Sequence, residues 1–348
     1  MSPSSIIKAI KERGQAKPTA QPVAKEVPAI TKADVEPGDI LLLHYVPEKN
    51  AIAEMLKLLG LAKQAVEDWK HWAEYDQKTR EEHFSALMPL IHFAITAFDN
   101  NHFFHAAIIG EDTAGDKVVI EAGPKGIMQT PFSKYWDGPI SVLRYQKDAV
   151  SLGDKLLPAE PVLRKASSLY ERGDIEYGYF HAGLLAVWCL FRAGEDAVMD
   201  RLHAALVLAF GAQTTDMLFQ LIGRETIRLF LVDIFHKALD RWRQDKHLVC
   251  SEMVAACFNQ ADGLGTYTIS RRLTEPQGDV TGMMGAKDQA VTSELEAAAR
   301  ELAGAFEGLE IDRPLRAVDV ALALVSSDVL YTPSDLERSV STFTIGKL

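Results

Sequence analysis

The sequence predicts an α+β fold, in which a small, mostly antiparallel sheet packs against a helix beginning at Cys250 and large helical insertions surround both. Three observations lead there. Short apolar or alternating runs of strand length, "ILLLHY" (40–45), "HFFHAAIIG" (102–110), "KVVIEAG" (117–123) and "GPISVLRY" (138–145), stand between Pro, Gly and Asp residues. Between them lie long segments, 51–98 and 159–246, whose apolar residues recur at three and four positions. Finally, "CSEMVAACFNQA" places Met253, Val254, Cys257, Phe258 and Ala261 on one helical stripe, with Ser251 and Glu252 in its first turn.

Taken in order, residues 1–34 hold four prolines among Ala, Lys, Thr and Gln. They bury too little apolar surface to offset the entropy of ordering, so they read as a flexible N-terminal tail. A single domain over 35–348 follows. Pro37-Gly38 punctuates its start and Ile40 to Tyr45 have the length of a buried strand. Residues 51–98 read as two or three helices, with Ile52, Met55 and Leu59 and later Leu87, Leu90 and Ile91 at helical spacing. Two strands joined by "EDTAGD" come next, then the strand in "GPISVLRY". Residues 159–246 are helical again and carry two uncharged runs, Tyr177 to Phe191 and Leu202 to Thr215. Each is shorter than the ~18 to 20 residues that span a bilayer, so no transmembrane span is expected. They read as buried helices, or as the wall of an apolar pocket or a face that meets a membrane peripherally. The helix at Cys250, a Gly-rich loop, the amphipathic "SELEAAARELAGAFEGL" and a closing "LYTPSDLERS" complete the chain.

Composition narrows the function classes. Acidic side chains outnumber basic ones 48 to 37, for a net charge of -11. That balance disfavours nucleic acid, whose phosphates need clustered Lys and Arg, and leaves a small molecule, lipid or peptide as substrate. Three cysteines in 348 residues are too few for a disulfide framework and show no zinc spacing, so no metal is expected. The N-terminus lacks a secretory h-region, since charge arrives at Lys8; the expectation is a cytoplasmic protein, or one exported without a signal peptide.

The chemistry centres on two places. In "FFHAAIIG" and "KVVIEAG", alternation gathers Phe103, His105, Ala107 and Ile109 on one face and Lys117, Val119 and Glu121 on another. With a loop of Gly110 to Asp116, His105 faces Glu121, and the carboxylate can accept the imidazole Nδ1 proton and fix the ring. The second place is Cys250, at the N-terminal tip of its helix. Free N–H groups there stabilise a thiolate, a nearby imidazolium lowers the thiol pKa further, and the backbone N–H groups of Cys250 or Ser251 can hold an oxyanion. Cys189 and Cys257 read as inert buried sulfur. The other histidines, His44, His71, His83, His92, His102, His181, His203 and His236, have no facing acid at strand or metal-ligand spacing, and His247 precedes the helix. No HExxH, phosphate loop or Gly-x-Ser-x-Gly elbow occurs, and no cofactor is implied.

The order His105, Glu121, Cys250 resembles the permuted papain-like amidases of the YiiX/YaeF type, a circularly permuted branch of the NlpC superfamily that includes relatives of lecithin:retinol acyltransferase. The resemblance rests on "PGDILL" (37–42), "HAAIIG" (105–110), "VVIEAG" (118–123), "CSEM" (250–253) and "TPSDLERS" (332–339). It implies Cys250 as nucleophile, His105 as general base and acid, and Glu121 as the residue that orients His105. The chain departs from the pattern in its helical insertions at 51–98 and 159–246. A cysteine hydrolase or acyltransferase acting on an amide or ester through a thioester is the expectation, leaning to a lipid or acyl substrate because of the greasy helices. A peptidoglycan or peptide amidase is the alternative. A non-enzymatic lipid- or partner-binding protein on the same fold is the third reading, favoured if the thiol is distant from His105.

Overall fold

The computed structural model describes residues 27–47, 50–72, 74–99, 101–146, 157–191, 198–242, 248–269, 291–307, 309, 330–339 and 341–348. It is a mixed α+β structure with eleven α-helices among the described residues and a six-stranded sheet. The strands are β1 (Ile40–His44), β2 (Phe103–Glu111), β3 (Lys117–Gly123), β4 (Gly126–Pro131), β5 (Ile140–Tyr145) and β6 (Thr342–Lys347). Their spatial order is β4-β3-β2-β1-β5-β6, antiparallel throughout.

Helices α1 (Ala51–Lys70), α2 (Gln77–Ala86) and α3 (Met88–Phe98) fill the first insertion. The second holds α4 (Glu160–Arg172), α5 (Tyr179–Phe191), α6 (Val198–Phe210), α7 (Ala212–Ile222) and α8 (Arg224–Trp242). Then follow α9 (Cys250–Asn259), α10 (Ser293–Phe306) and the short α11 (Pro333–Arg338). In α5, Leu184, Leu185, Trp188, Cys189, Leu190 and Phe191 are all buried, which accounts for its missing charges. No helix among the described residues is long and apolar enough to cross a membrane.

Both faces of the sheet are covered. On one, Ile40, Leu42, Ala106, Ile108, Val118 and Ile120 join Met253, Val254 and Phe258 of α9 and the helical core. On the other, Leu41, Leu43, Ala107, Ile109, Val119 and Val142 pack under Val35, Phe132 and Tyr135. A strand buried on two sides has no reason to alternate, hence the continuous apolar run of β1.

Three expectations are corrected. The hairpin register is Ile109↔Val119 and Glu111↔Lys117, so the loop is two residues shorter than Gly110 to Asp116 and His105 is diagonal to Glu121 rather than opposite. The error is an even number of residues, and the two side chains therefore keep a common face. Part of the segment assigned to the tail is also held against the sheet. Ile30 donates to Lys347 O at 2.9 Å and Lys347 donates to Pro28 O at 2.9 Å, so this segment covers the open edge of β6, which would otherwise present unpaired backbone groups. Residues 1–26 lie outside the described residues. The third correction adds β4 and β6. β4 follows β3 through Pro124-Lys125, a turn without the Asn-Gly or Asp-Gly signal of a hairpin, and Gly126 takes φ +87° to complete it.

The "PGD" stretch has a structural account. Gly38 adopts φ +92° and lies so close to Ala159 that an added Cβ would stand 2.7 Å from the alanine Cβ. Asp39 is buried, accepts the Glu36 N–H at 2.7 Å, and receives both Nε and Nη2 of Arg144 at 2.8 Å. Asp39→Ala removes the two shortest bonds to that guanidinium, which keeps the Glu36 carboxylate and the Asp34 carbonyl, each at 3.3 Å, and is expected to cost about 2 kcal/mol in urea unfolding. A loss below about 1 kcal/mol would show the pair to be incidental.

Candidate active site

β2 and β3 pair from Glu111↔Lys117 to Ile108↔Ile120 and then part, although β3 continues along β4 to Gly123 and β2 along β1 to Phe103. Alternation decides what faces the opening. Ile109 exchanges hydrogen bonds with Gly38 and Asp39 just ahead of β1, at 2.7 and 2.9 Å; His105, two steps of two away, turns its backbone the same way, whereas Ala106 turns its own toward the gap. The tip of α9 occupies it. The Cys250 sulfur lies beside the His105 side chain and the backbone N–H groups of Ala106 and Ser251, all of which favour its anion.

That tip is open by design of its sequence. Val249 stands at the N-cap and offers no side-chain acceptor, where Ser, Thr, Asp or Asn would satisfy the first-turn N–H groups. Glu252 turns back instead to accept the Val249 N–H at 3.2 Å. The first-turn N–H groups of Cys250 and Ser251 have no acceptor within the helix. Ser251 Oγ donates to Tyr331 O, and Thr332 and Asp335 cap α11 reciprocally, with Thr332 N–H to Asp335 Oδ2 at 2.8 Å and Asp335 N–H to Thr332 Oγ1 at 3.2 Å. Ser334 then donates to Asp99, which also accepts from Asn101 at 3.0 Å. The "TPSDL" element thereby fastens the cysteine helix to the start of the strand that carries His105.

Around the imidazole, His105 Nε2 lies 2.6 Å from Glu121 Oε2. The carboxylate therefore takes Nε2, not the Nδ1 expected from sequence, and Nδ1 is the nitrogen left for the sulfur. Tyr135 Oη donates to the same carboxylate oxygen at 2.6 Å. Side-chain exposure at His105 and Glu121 is 12% and 11%, so the pair is shielded while still reachable from solvent. Burial pushes the Cys250 thiol up, but the His105 charge and its hydrogen bond, with the N–H groups of Ala106 and Ser251, bring it below a cysteine's ordinary value. At His105, burial disfavours the imidazolium, and the facing sulfur and carboxylate charges overcome it and raise the pKa. Burial likewise pushes Glu121 up, and the His105 and Tyr135 hydrogen bonds hold it below the usual carboxylate range. The arrangement can hold a thiolate–imidazolium pair with hydrogen-bond donors beside the sulfur.

The three side chains singled out from sequence, Cys250, His105 and Glu121, are thus brought together, with Ser251 beside them. Cys189 and Cys257 are buried elsewhere, and burial pushes the Cys257 thiol up to about 12. Sequence reasoning missed Tyr135, which sits after the unrecognised β4, and Ala106, whose role depends on where two strands part. It also missed acids that tertiary packing brings to histidines: Asp68 to His83 at 2.8 Å, Asp216 to His203 at 2.9 Å, and the buried Glu252 to His181 at 3.3 Å. His247 lies outside the described residues. His92 packs on Phe104, whose ring also meets His105 and the exposed Trp136. Burial and the His105 charge push His92 down to about 3, keeping it neutral. Among the described residues, no group of three or more His, Cys, Asp or Glu is placed to hold a metal ion.

Tyr135→Phe removes one donor from Glu121 and leaves the ring. The expected result is a threefold to tenfold slower Cys250 alkylation at neutral pH, about one hydrogen bond's worth, with the titration of the rate moved to higher pH. Circular dichroism should be unchanged; an unaltered pH profile would assign the hydroxyl to packing alone.

Comparison with protein-family models, with curated proteins and with solved structures finds no match to this chain.

Proposed function

We propose that this chain is a cysteine hydrolase or acyltransferase of the permuted papain-like kind, cleaving an amide or ester through a thioester, with a lipid or acyl-chain substrate. One observation carries the reading: Tyr135 hydrogen-bonds Glu121, Glu121 hydrogen-bonds His105, and the His105 charge beside Cys250 lowers the thiol pKa in spite of burial. Structural cysteines lack that surrounding, as Cys257 illustrates on the same helix.

In this mechanism the Cys250 proton rests on His105, held in place by Glu121. The thiolate attacks the carbonyl carbon, and the electron pair of the C=O bond moves to oxygen, where the first-turn N–H groups of Cys250 or Ser251, joined by that of Ala106, receive it. Collapse expels the leaving amine or alcohol, which takes the proton from His105, and leaves a thioester on Cys250. Water or another acceptor then gives its proton to His105, attacks the thioester and releases the acyl product with the thiolate restored.

The lean to lipid rests on the apolar helices of the two insertions, which add greasy surface that a polar peptide groove does not need. The test is incubation of the protein with phospholipid and, separately, with muropeptides, followed by mass spectrometry. Free fatty acid or a transferred acyl group that requires Cys250 is expected. Cleaved stem peptide in its place would reassign the substrate to peptidoglycan, and neither product would leave only binding.

A further inference from the structure

The helical insertions enclose a second feature that the thiol chemistry does not use. A cavity of about 250 Å³ lies among α1, α2, α3, α5, α6, α7, α8 and α10, and none of Cys250, His105 or Glu121 lines it. Its lining is aliphatic and aromatic, with Asp68 and His83 as the polar exceptions. Helix α3 separates the two places: Phe93 and Ala94 face the cavity, while His92 packs on Phe104 beside His105.

Interiors pack to the density of organic crystals, so a void this large is not what side chains leave when nothing is to fill it. An apolar cavity of ~150 Å³ stays dry and accepts a small hydrocarbon; this one is larger and equally apolar. Its lining is long. Along α1 it runs from Leu58 to Trp69 and along α3 from its N-cap Leu87 to Phe98, each about 16 Å at the α-helical rise. An apolar lining of that length accommodates an extended methylene chain. The polar exceptions give it direction: His83 Nδ1 and Asp68 Oδ2 face each other at 2.8 Å, and both atoms are buried, so the polar groups of the lining are confined to one end. Arg80 lies beside it, 5.2 Å over the ring of Trp72, another lining residue.

We propose that this cavity is a binding site for one unbranched acyl chain, with the polar end of the ligand at His83 and Asp68. The inference is independent of the thiol reaction and is tested without it, on full-length protein carrying Cys250→Ala. Fluorescence titration with cis-parinaric acid should show one saturable site, displaced by palmitate or by lysophosphatidylcholine. Displacement by palmitate alone would mark a free fatty acid, and by both a chain from either source. Ala62→Phe and Leu206→Trp each fill the lining and should weaken binding at least tenfold. Wild-type protein with palmitate should gain hydrogen-exchange protection within 58–72 and 83–98. Absence of saturable binding, binding unchanged in both filled variants, or protection confined to other segments would overturn the assignment.

Discussion

Cys250→Ala is expected to abolish thioester formation and to lower turnover by roughly 10^4- to 10^6-fold, the loss seen when a nucleophile acting in a concerted unit is removed. The fold should survive. Cys250 is buried at the α9 tip, but alanine keeps its Cβ and leaves the Ser251 anchor to Tyr331 and the α11 caps untouched. The reaction of the three thiols separates the chemical role from packing. An acyl-directed thiol probe at neutral pH should label Cys250 and spare Cys189 and Cys257, which are buried, the second with a thiol pushed up to about 12. In the variant, labelling should vanish. Equal labelling of wild type and variant, or turnover that persists, removes Cys250 from the reaction.

Much of this site was legible because its residues sit in local patterns. Alternation in "FFHAAIIG" and "VVIEAG" gives a common face to His105 and Glu121 whether or not the register is known, provided the error is even. The apolar stripe Met253, Val254, Cys257 and Phe258 fixes which side of α9 is buried and so leaves Cys250 at the tip. What stayed hidden depends on tertiary placement. Nothing local to "SKYWDG" says that Tyr135 reaches Glu121, because a chain reversal at Pro124-Lys125 and all of β4 intervene. The Ala106 N–H is an ordinary strand donor until β3 departs at Ile120. His181 and Glu252 are 71 residues apart, and only the packing of α5 near α9 makes them a pair. The helical insertions were legible as helices from their periodicity, but no periodicity reports a cavity, which is the collective outcome of eight helices failing to close on one another.

His105→Ala offers the sharpest pH test, because α9 supplies its own reference. Cys250 and Cys257 are both buried on one short helix. Burial alone pushes Cys257 up to about 12; at Cys250 the same burial is outweighed by the His105 charge and hydrogen bond and by two backbone N–H groups. Removing the imidazole takes away the two largest of those opposing influences, and the Cys250 thiol should then rise above its ordinary value of 9.0 toward the Cys257 condition. The sign follows directly. A lowered thiol pKa means that in wild type the thiolate persists to lower pH than in an ordinary cysteine, and alkylation falls as acid protonates it. The raised His105 pKa keeps the imidazolium beyond its ordinary 6.5, so thiolate and imidazolium coexist on a plateau between the two titrations. In His105→Ala the plateau should disappear and the rate at pH 7 should fall by about 10^2-fold or more, recovering only in alkali, since the thiolate is the species that reacts. Glu121→Gln retains the ring and loses the carboxylate charge, so its profile should lie between the two. Alkylation of His105→Ala at the wild-type rate and pH dependence would mean that the helix tip alone ionises the thiol, and the part assigned to the imidazole would have to be abandoned.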